Sequence, residues 1–203
     1  MKITVREMTL ISLFTVLIII GSKISFPILM IPVTLQLAIS LLTGCVLGAR
    51  LALIAHGLYL LIGLIGLPVF AAGGGLAYLL QPSFGYLPGM LLAAGLTGWL
   101  SDLADPRRER LTFWRLVPIN LAGLLVVYLC GVGYLYLIKN FYAGQSITWL
   151  QAIKAGMLPF LLIDSLKALL AAVAGPLLRR LASPSLQRRQ GPAGAGQDPA
   201  GPL

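Results

Sequence analysis

Residues 155–178 read AGMLPFLLIDSLKALLAAVAGPLL, a run of 24 in which Asp164 and Lys167 are the only charged side chains. A helix needs ~20 apolar residues to cross a bilayer, so this run reads as a membrane span with an ionisable pair near its middle. Such groups are costly in hydrocarbon unless they are paired or face a polar cavity. The spacing of three makes them neighbours on one helix face. Three readings follow from chemistry alone: a structural ion pair, a proton or ion relay, or a ligand site.

The rest of the chain is built like this run. Of 203 residues, 58% are hydrophobic and 10% charged, with a mean hydropathy of +0.92, whereas a soluble domain carries about 25% charged residues. Charged residues, prolines and glycines divide the sequence into six predicted spans, at 8–26, 35–47, 51–65, 86–100, 115–138 and 149–178. Pro27 and Pro32 separate the first two, and a loop rich in Gly and Pro at 66–89 separates the third and fourth. The expected fold is an all-α integral membrane protein, a six-transmembrane-helix bundle with an extracellular glycine-rich loop between helices 3 and 4. Residues 1–182 form its single domain, and 183–203, poor in aliphatic side chains, a disordered cytoplasmic tail.

Charge gives the orientation. With six spans, the side that holds both termini carries eleven Lys and Arg against three on the other, Lys23, Lys139 and Lys154, so both termini are expected in the cytoplasm of a multi-pass cell-membrane protein. The same bias accounts for most of the net charge of +9; it points to membrane lipid as the surroundings and to no nucleic-acid partner. Arg179 and the arginines up to Arg189 read first as a stop-transfer cluster and second as an attraction for anionic lipid. Cys45 and Cys130 lie in apolar runs and read as small hydrophobes, and the first apolar run lacks the cleavage site of a secretory signal.

The loop 66–89 reads GLPVFAAGGGLAYLLQPSFGYLPG. Gly73, Gly74 and Gly75 would let backbone approach a ligand closely. Phe70, Tyr78, Phe84 and Tyr86 would supply aromatic walls, and Gln81 and the tyrosine hydroxyls hydrogen bonds. A lid over a small, partly apolar molecule fits this composition, as does a flexible turn with interfacial aromatics. Thr34 and Gln36 either point into the same cavity or, for Thr34, cap the second helix. His56 reads as a packed histidine. Ser40, Gly44 and Gly48 form a small-residue stripe for close helix contact, internal or with another protein. Tyr128, Tyr134, Tyr136 and Tyr142 suit an interfacial belt or a binding role. No phosphate-binding G-x-x-x-x-G-K-[ST] loop and no H-E-x-x-H pattern occurs, so neither nucleotide hydrolysis, nor metal catalysis, nor a cofactor is expected.

Four motifs carry a resemblance. Pro32-x-Thr34-x-Gln36, the stretch from Gly66 through Gly75, Gln81-Pro82-Ser83-x-Gly85-Tyr86 and Asp164-x-x-Lys167 together resemble the BioY family, the biotin-specific substrate-binding components of energy-coupling factor transporters. The resemblance implies a protein that captures biotin from outside with high affinity. Import would take a membrane coupling subunit and two cytosolic ATPases. It carries binding roles to Asp164 and Lys167, and to the glycine-rich loop and the Gln81–Tyr86 segment. Lys167 can donate to the ureido oxygen while Asp164 accepts a ureido N–H, or Lys167 can pair with the carboxylate. Two departures stand out. The Ala-x-x-x-Ala docking stripe common on the first helix is replaced by Thr9, Ser12 and Thr15, and the family's Gly-Pro-Thr-Gly-Gly-Tyr reads Gln81-Pro82-Ser83-Phe84-Gly85-Tyr86. Uptake of another vitamin and a stand-alone proton- or ion-coupled carrier are the competing functions.

Overall fold

A computed structural model describes residues 3–28, 31–108 and 111–186. Helix α1 spans Val5–Lys23 and opens three residues earlier than expected. Thr4 and Glu7 form a reciprocal cap there, the Thr4 hydroxyl accepting from the Glu7 N–H at 3.3 Å and the Glu7 carboxylate from the Thr4 N–H at 2.7 Å, which satisfies donors that a helix start leaves unpaired. The helix also ends before residue 26. A residue that precedes proline is pushed out of the α region, and from Ser25 the chain is extended. Strands β1 (Ser25–Ile28) and β2 (Ile31–Thr34) form an antiparallel hairpin in which Pro27 faces Pro32. Neither ring nitrogen can donate, so that pair exchanges no N–H bonds.

Helices α2 (Gln36–Leu47) and α3 (Ala49–Leu64) meet at Gly48, whose φ of 81° turns the chain within one residue. The glycine-rich segment contains one 3₁₀ turn, Leu76–Leu80, and leads into α4 (Tyr86–Ala104). Helix α5 (Phe113–Leu137) runs into a π turn, Ile138–Tyr142. The expected final span is split: α6 covers Trp149–Gly156, and α7 covers Leu158–Leu186. Pro159 is the cause, because it lacks the N–H that a continuous helix would send back to residue 155. Helix α7 includes residues 183–186, placed in the tail by composition; the rest of that tail, 187–203, lies outside the described residues.

Among the described residues three stretches are long and apolar enough to cross a membrane, Val5–Lys23, Phe113–Tyr142 and Leu158–Ala182, with α2 and α3 as shorter apolar helices. Their outward faces carry exposed large side chains such as Leu13, Leu61, Leu125, Leu129, Leu162 and Val173, the face that a membrane-embedded bundle shows to lipid.

The small-residue stripe on α2 is used inside the bundle. A side chain at Gly44 would strike the Thr97 hydroxyl and the Ala94 carbonyl of α4, and Ser40 shares a 2.9 Å hydrogen bond with His56 Nε2. His56 is buried and its Nδ1 lies 3.1 Å from the Ala52 carbonyl. On α1, Thr15 turns inward to the Ala55 carbonyl at 3.2 Å, while Thr9 and Ser12 are exposed.

Arg179 does not belong to a surface cluster. It is 1% exposed, and its guanidinium donates to the carbonyls of Cys45 (2.6 Å), Ser101 (3.2 Å) and Asp105 (3.1 Å) and to Asp102 Oδ1 (2.9 Å). Arg108 joins from the following loop, donating to the carbonyls of Val46 and Leu47 and, at 2.8 Å, to the same Asp102 oxygen. Burial pulls the Arg108 pKa down, and Asp102 opposes the fall. This clamp ties together the C-terminal ends of α2 and α4, whose last carbonyls lack helical partners, and the far end of α7.

Candidate functional site

A chamber opens at the other end of α2, α4 and α7. Its walls come from β2 (Ile31 to Thr34), the start of α2 (Gln36, Leu37), the start of α4 (Tyr86, Leu87, Met90), α5 (Val127, Tyr128) and α7 (Phe160, Asp164, Lys167), with Ala71, Tyr78 and Ser83 from the glycine-rich segment. It encloses a cavity of about 50 Å³. The chamber is a slot. Its walls are apolar with a few convergent polar groups, the composition of a small-molecule site.

Among the described residues of the lining, Asp164 and Lys167 are the only charged ones. Lys167 Nζ donates to Asp164 Oδ1 at 2.8 Å, and the Tyr128 hydroxyl donates to Oδ2 at 2.8 Å. The side chains are 7% and 13% exposed. Both carboxylate oxygens are therefore oriented by protein donors, yet each retains a lone pair, and the ammonium keeps N–H donors beyond the one given to Asp164. The pair is electrically balanced. It can meet a neutral carbonyl flanked by N–H groups without creating an unmatched buried charge, whereas a carboxylate beside it would leave a net negative charge in a medium where that is costly.

Tyr86 lines the chamber and is anchored by its hydroxyl, which donates to the Gly156 carbonyl at 2.7 Å. That carbonyl is free because the α6–α7 break diverts the Phe160 N–H to Met157. Thr34 is buried in the lining and does not cap α2, whose N-cap position is Leu35 without a side-chain bond. Gln36 is 2% exposed; its Oε1 accepts from the Tyr59 hydroxyl at 3.4 Å, and its Nε2 has no hydrogen-bond partner among the described residues.

Six loop residues singled out in the sequence lie away from the lining, Phe84 among them. Phe70 is fully buried behind it, its ring between Tyr59 (5.4 Å between centroids) and Tyr78 (4.7 Å); it backs a chamber residue without facing the slot. Gly73, Gly74 and Gly75 fold onto the end of α3 instead of approaching the slot. Gly73 exchanges backbone bonds with Phe70, the Gly75 N–H reaches the Gly63 carbonyl at 2.7 Å, and Gly73 and Gly75 take φ of 127° and 93°. A side chain at Gly74 would strike the Leu67 carbonyl. Gln81 is exposed. The loop is pinned from α1, where Ser22 donates to the Val69 carbonyl at 2.6 Å and Lys23 to that of Phe70 at 2.6 Å. Tyr128, Ser83, Met90 and Phe160 complete the chamber; of these, Tyr128 and Ser83 stood in segments the sequence had marked. Among the described residues no three His, Cys, Asp or Glu side chains converge as metal ligands would.

Apolar helices that surround a narrow slot, with one balanced ion pair inside it, make up a membrane protein equipped to hold a small, largely neutral molecule. The sequence profile of the BioY family matches residues 1–184, and the chain belongs to that family. It is 34% identical over 175 residues to the probable biotin transporter BioY of Lysinibacillus sphaericus (86% of this chain, 87% of the relative). To the biotin transporter BioY of Thermotoga maritima it is 35% identical over 177 residues (87% and 97%). Among solved structures it superposes with a TM-score of 0.76 and 29% identity on the S-component for biotin from an ECF-type ABC transporter, covering 88% of this chain and 95% of that one.

Proposed function

We propose that this protein is the high-affinity biotin-binding component of an energy-coupling factor transporter. Helices α1, α2, α3, α4, α5 and α7 are its six membrane spans, both termini are cytoplasmic, and the glycine-rich segment faces outside. It works with a coupling subunit and two cytosolic ATPases, and it needs no cofactor of its own. The supporting observation is the oriented Asp164–Lys167 pair inside the slot. In this reading biotin enters with its ureido head toward α7. Lys167 donates to the ureido oxygen, Asp164 accepts a ureido N–H, and apolar walls enclose the sulfur ring. The valerate carboxylate stays toward the mouth, where water can solvate it.

Calorimetric titration of detergent-purified protein tests both ligand and site. Wild type is expected to bind biotin one to one, and Asp164→Asn and Lys167→Ala each to weaken binding at least tenfold, about 1.4 kcal/mol. The Lys167→Ala loss should be as large for an analogue whose tail ends in methyl instead of carboxylate. Folded wild-type protein that fails to take up biotin would reject the assignment, and competition by a different vitamin would reassign it.

A further inference from the structure

Gln36 is buried to 2% exposure in the chamber wall, yet the N–H groups of its amide meet no acceptor among the described residues. Leaving a buried donor unpaired destabilises a fold, and such groups call for an explanation. The amide is not loosely placed. Tyr59, 1% exposed and packed edge-on against Phe70, holds Oε1 through its hydroxyl at 3.4 Å. With the oxygen held by Tyr59, the nitrogen is the unpaired end of a side chain that lines the slot.

We propose that Gln36 is a ligand-reading residue whose amide N–H donates to the ureido carbonyl oxygen of biotin, and that Tyr59 is the positioning residue that fixes which end of the amide faces the ligand. The proposal rests on the biotin reading of the chamber. Two observations select the ureido oxygen over the carboxylate. Gln36 and Lys167 line the same narrow slot, one from the start of α2 and the other from α7. A carbonyl oxygen has two lone pairs, so one oxygen can accept from Lys167 on one side and Gln36 on the other. Further, Lys167 is the one cation among the described residues of the lining and is already matched by Asp164, so they offer no spare positive charge to an anionic tail.

The experiment compares wild type, Gln36→Met, Tyr59→Phe and the double variant. Calorimetry with biotin and with the methyl-ended analogue is combined with thermal unfolding of the unliganded proteins. Gln36→Met is expected to lower affinity tenfold or more, by the same factor for both ligands. In the Tyr59→Phe background, where no tyrosine hydroxyl loses its acceptor, the substitution should leave the unliganded melting temperature unchanged or higher, because it removes an unpaired donor. Tyr59→Phe should lower affinity severalfold and add almost nothing in the Gln36→Met background. Wild-type affinity in Gln36→Met, or a penalty that vanishes with the methyl-ended ligand, would overturn the role of Gln36 while leaving the biotin assignment intact. A lower unliganded melting temperature for the double variant than for Tyr59→Phe would make Gln36 structural, and independent additive losses would overturn the role of Tyr59. Failure of wild type to bind biotin would instead remove the underlying assignment.

Discussion

Tyr128 sits on α5 and Asp164 on α7, so the carboxylate that faces the slot is aimed by two helices at once. Replacing Tyr128 by Phe leaves Oδ2 without its protein donor while changing little volume. Biotin affinity is expected to fall by about 1 kcal/mol, the net value of one hydrogen bond, or somewhat more because the acceptor is charged. Titration calorimetry reads this directly, and unchanged affinity would mean that Lys167 alone orients Asp164. The ion pair was legible from sequence because charge at such depth is rare and the i, i+3 spacing fixes the relation between the two residues. Tyr128 was one of four tyrosines on or near one segment, and which faces inward depends on the phase of α5 against its neighbours. Phe70 and Gln81 show the same limit. Loop composition names the available groups, but only the packing of Phe70 between Tyr59 and Tyr78 decides which side of the loop faces the chamber.

At the scale of elements, the break between α6 and α7 supplies a part of the site. Because Pro159 cannot donate and the Phe160 N–H turns to Met157, the Gly156 carbonyl is left for the Tyr86 hydroxyl. A helix interruption thereby positions the first residue of α4. Tyr86→Phe should leave that buried carbonyl unpaired at a cost of about 1–3 kcal/mol, seen as a lower melting temperature of the unliganded protein. An unchanged melting temperature would show that another donor takes over. Pro159 was present in the sequence, yet a hydropathy reading joins α6 and α7 because both flanks are apolar. The hairpin escaped for a related reason. Pro27 and Pro32 signal that helix is interrupted, but a two-stranded ladder in which they face each other depends on a register that hydropathy does not encode. By contrast, α2, α3 and α5 emerge within two residues of their expected ends, since charged or glycine boundaries enclose uninterrupted apolar runs.

Across the whole molecule, one end holds the chamber and the other the Arg179 clamp, joined by α2, α4 and α7. Arg179→Met would remove the cation 3.7 Å from the Asp105 carboxylate, itself 5% exposed, and the donor of the Cys45 and Ser101 carbonyls. Breaking a buried pair by removing one partner costs about 3–5 kcal/mol, so a large fall in melting temperature is expected. Arg179→Lys should rescue little of it, because one ammonium cannot reproduce a planar fork that serves four oxygens. Full stability in either variant would relegate the clamp to a bystander. Counting basic residues gave Arg179 its side of the membrane; that it is buried emerged only from the packing of three helices. The clamp also sets an order of events in biosynthesis. Its acceptors on α2 and α4, and Arg108 that already joins the two, are made early, whereas Arg179 lies near the end of α7. Until α7 is synthesised and inserted, the shared Asp102 oxygen holds one guanidinium instead of two, so this end of the bundle closes in two steps and α7 makes the second.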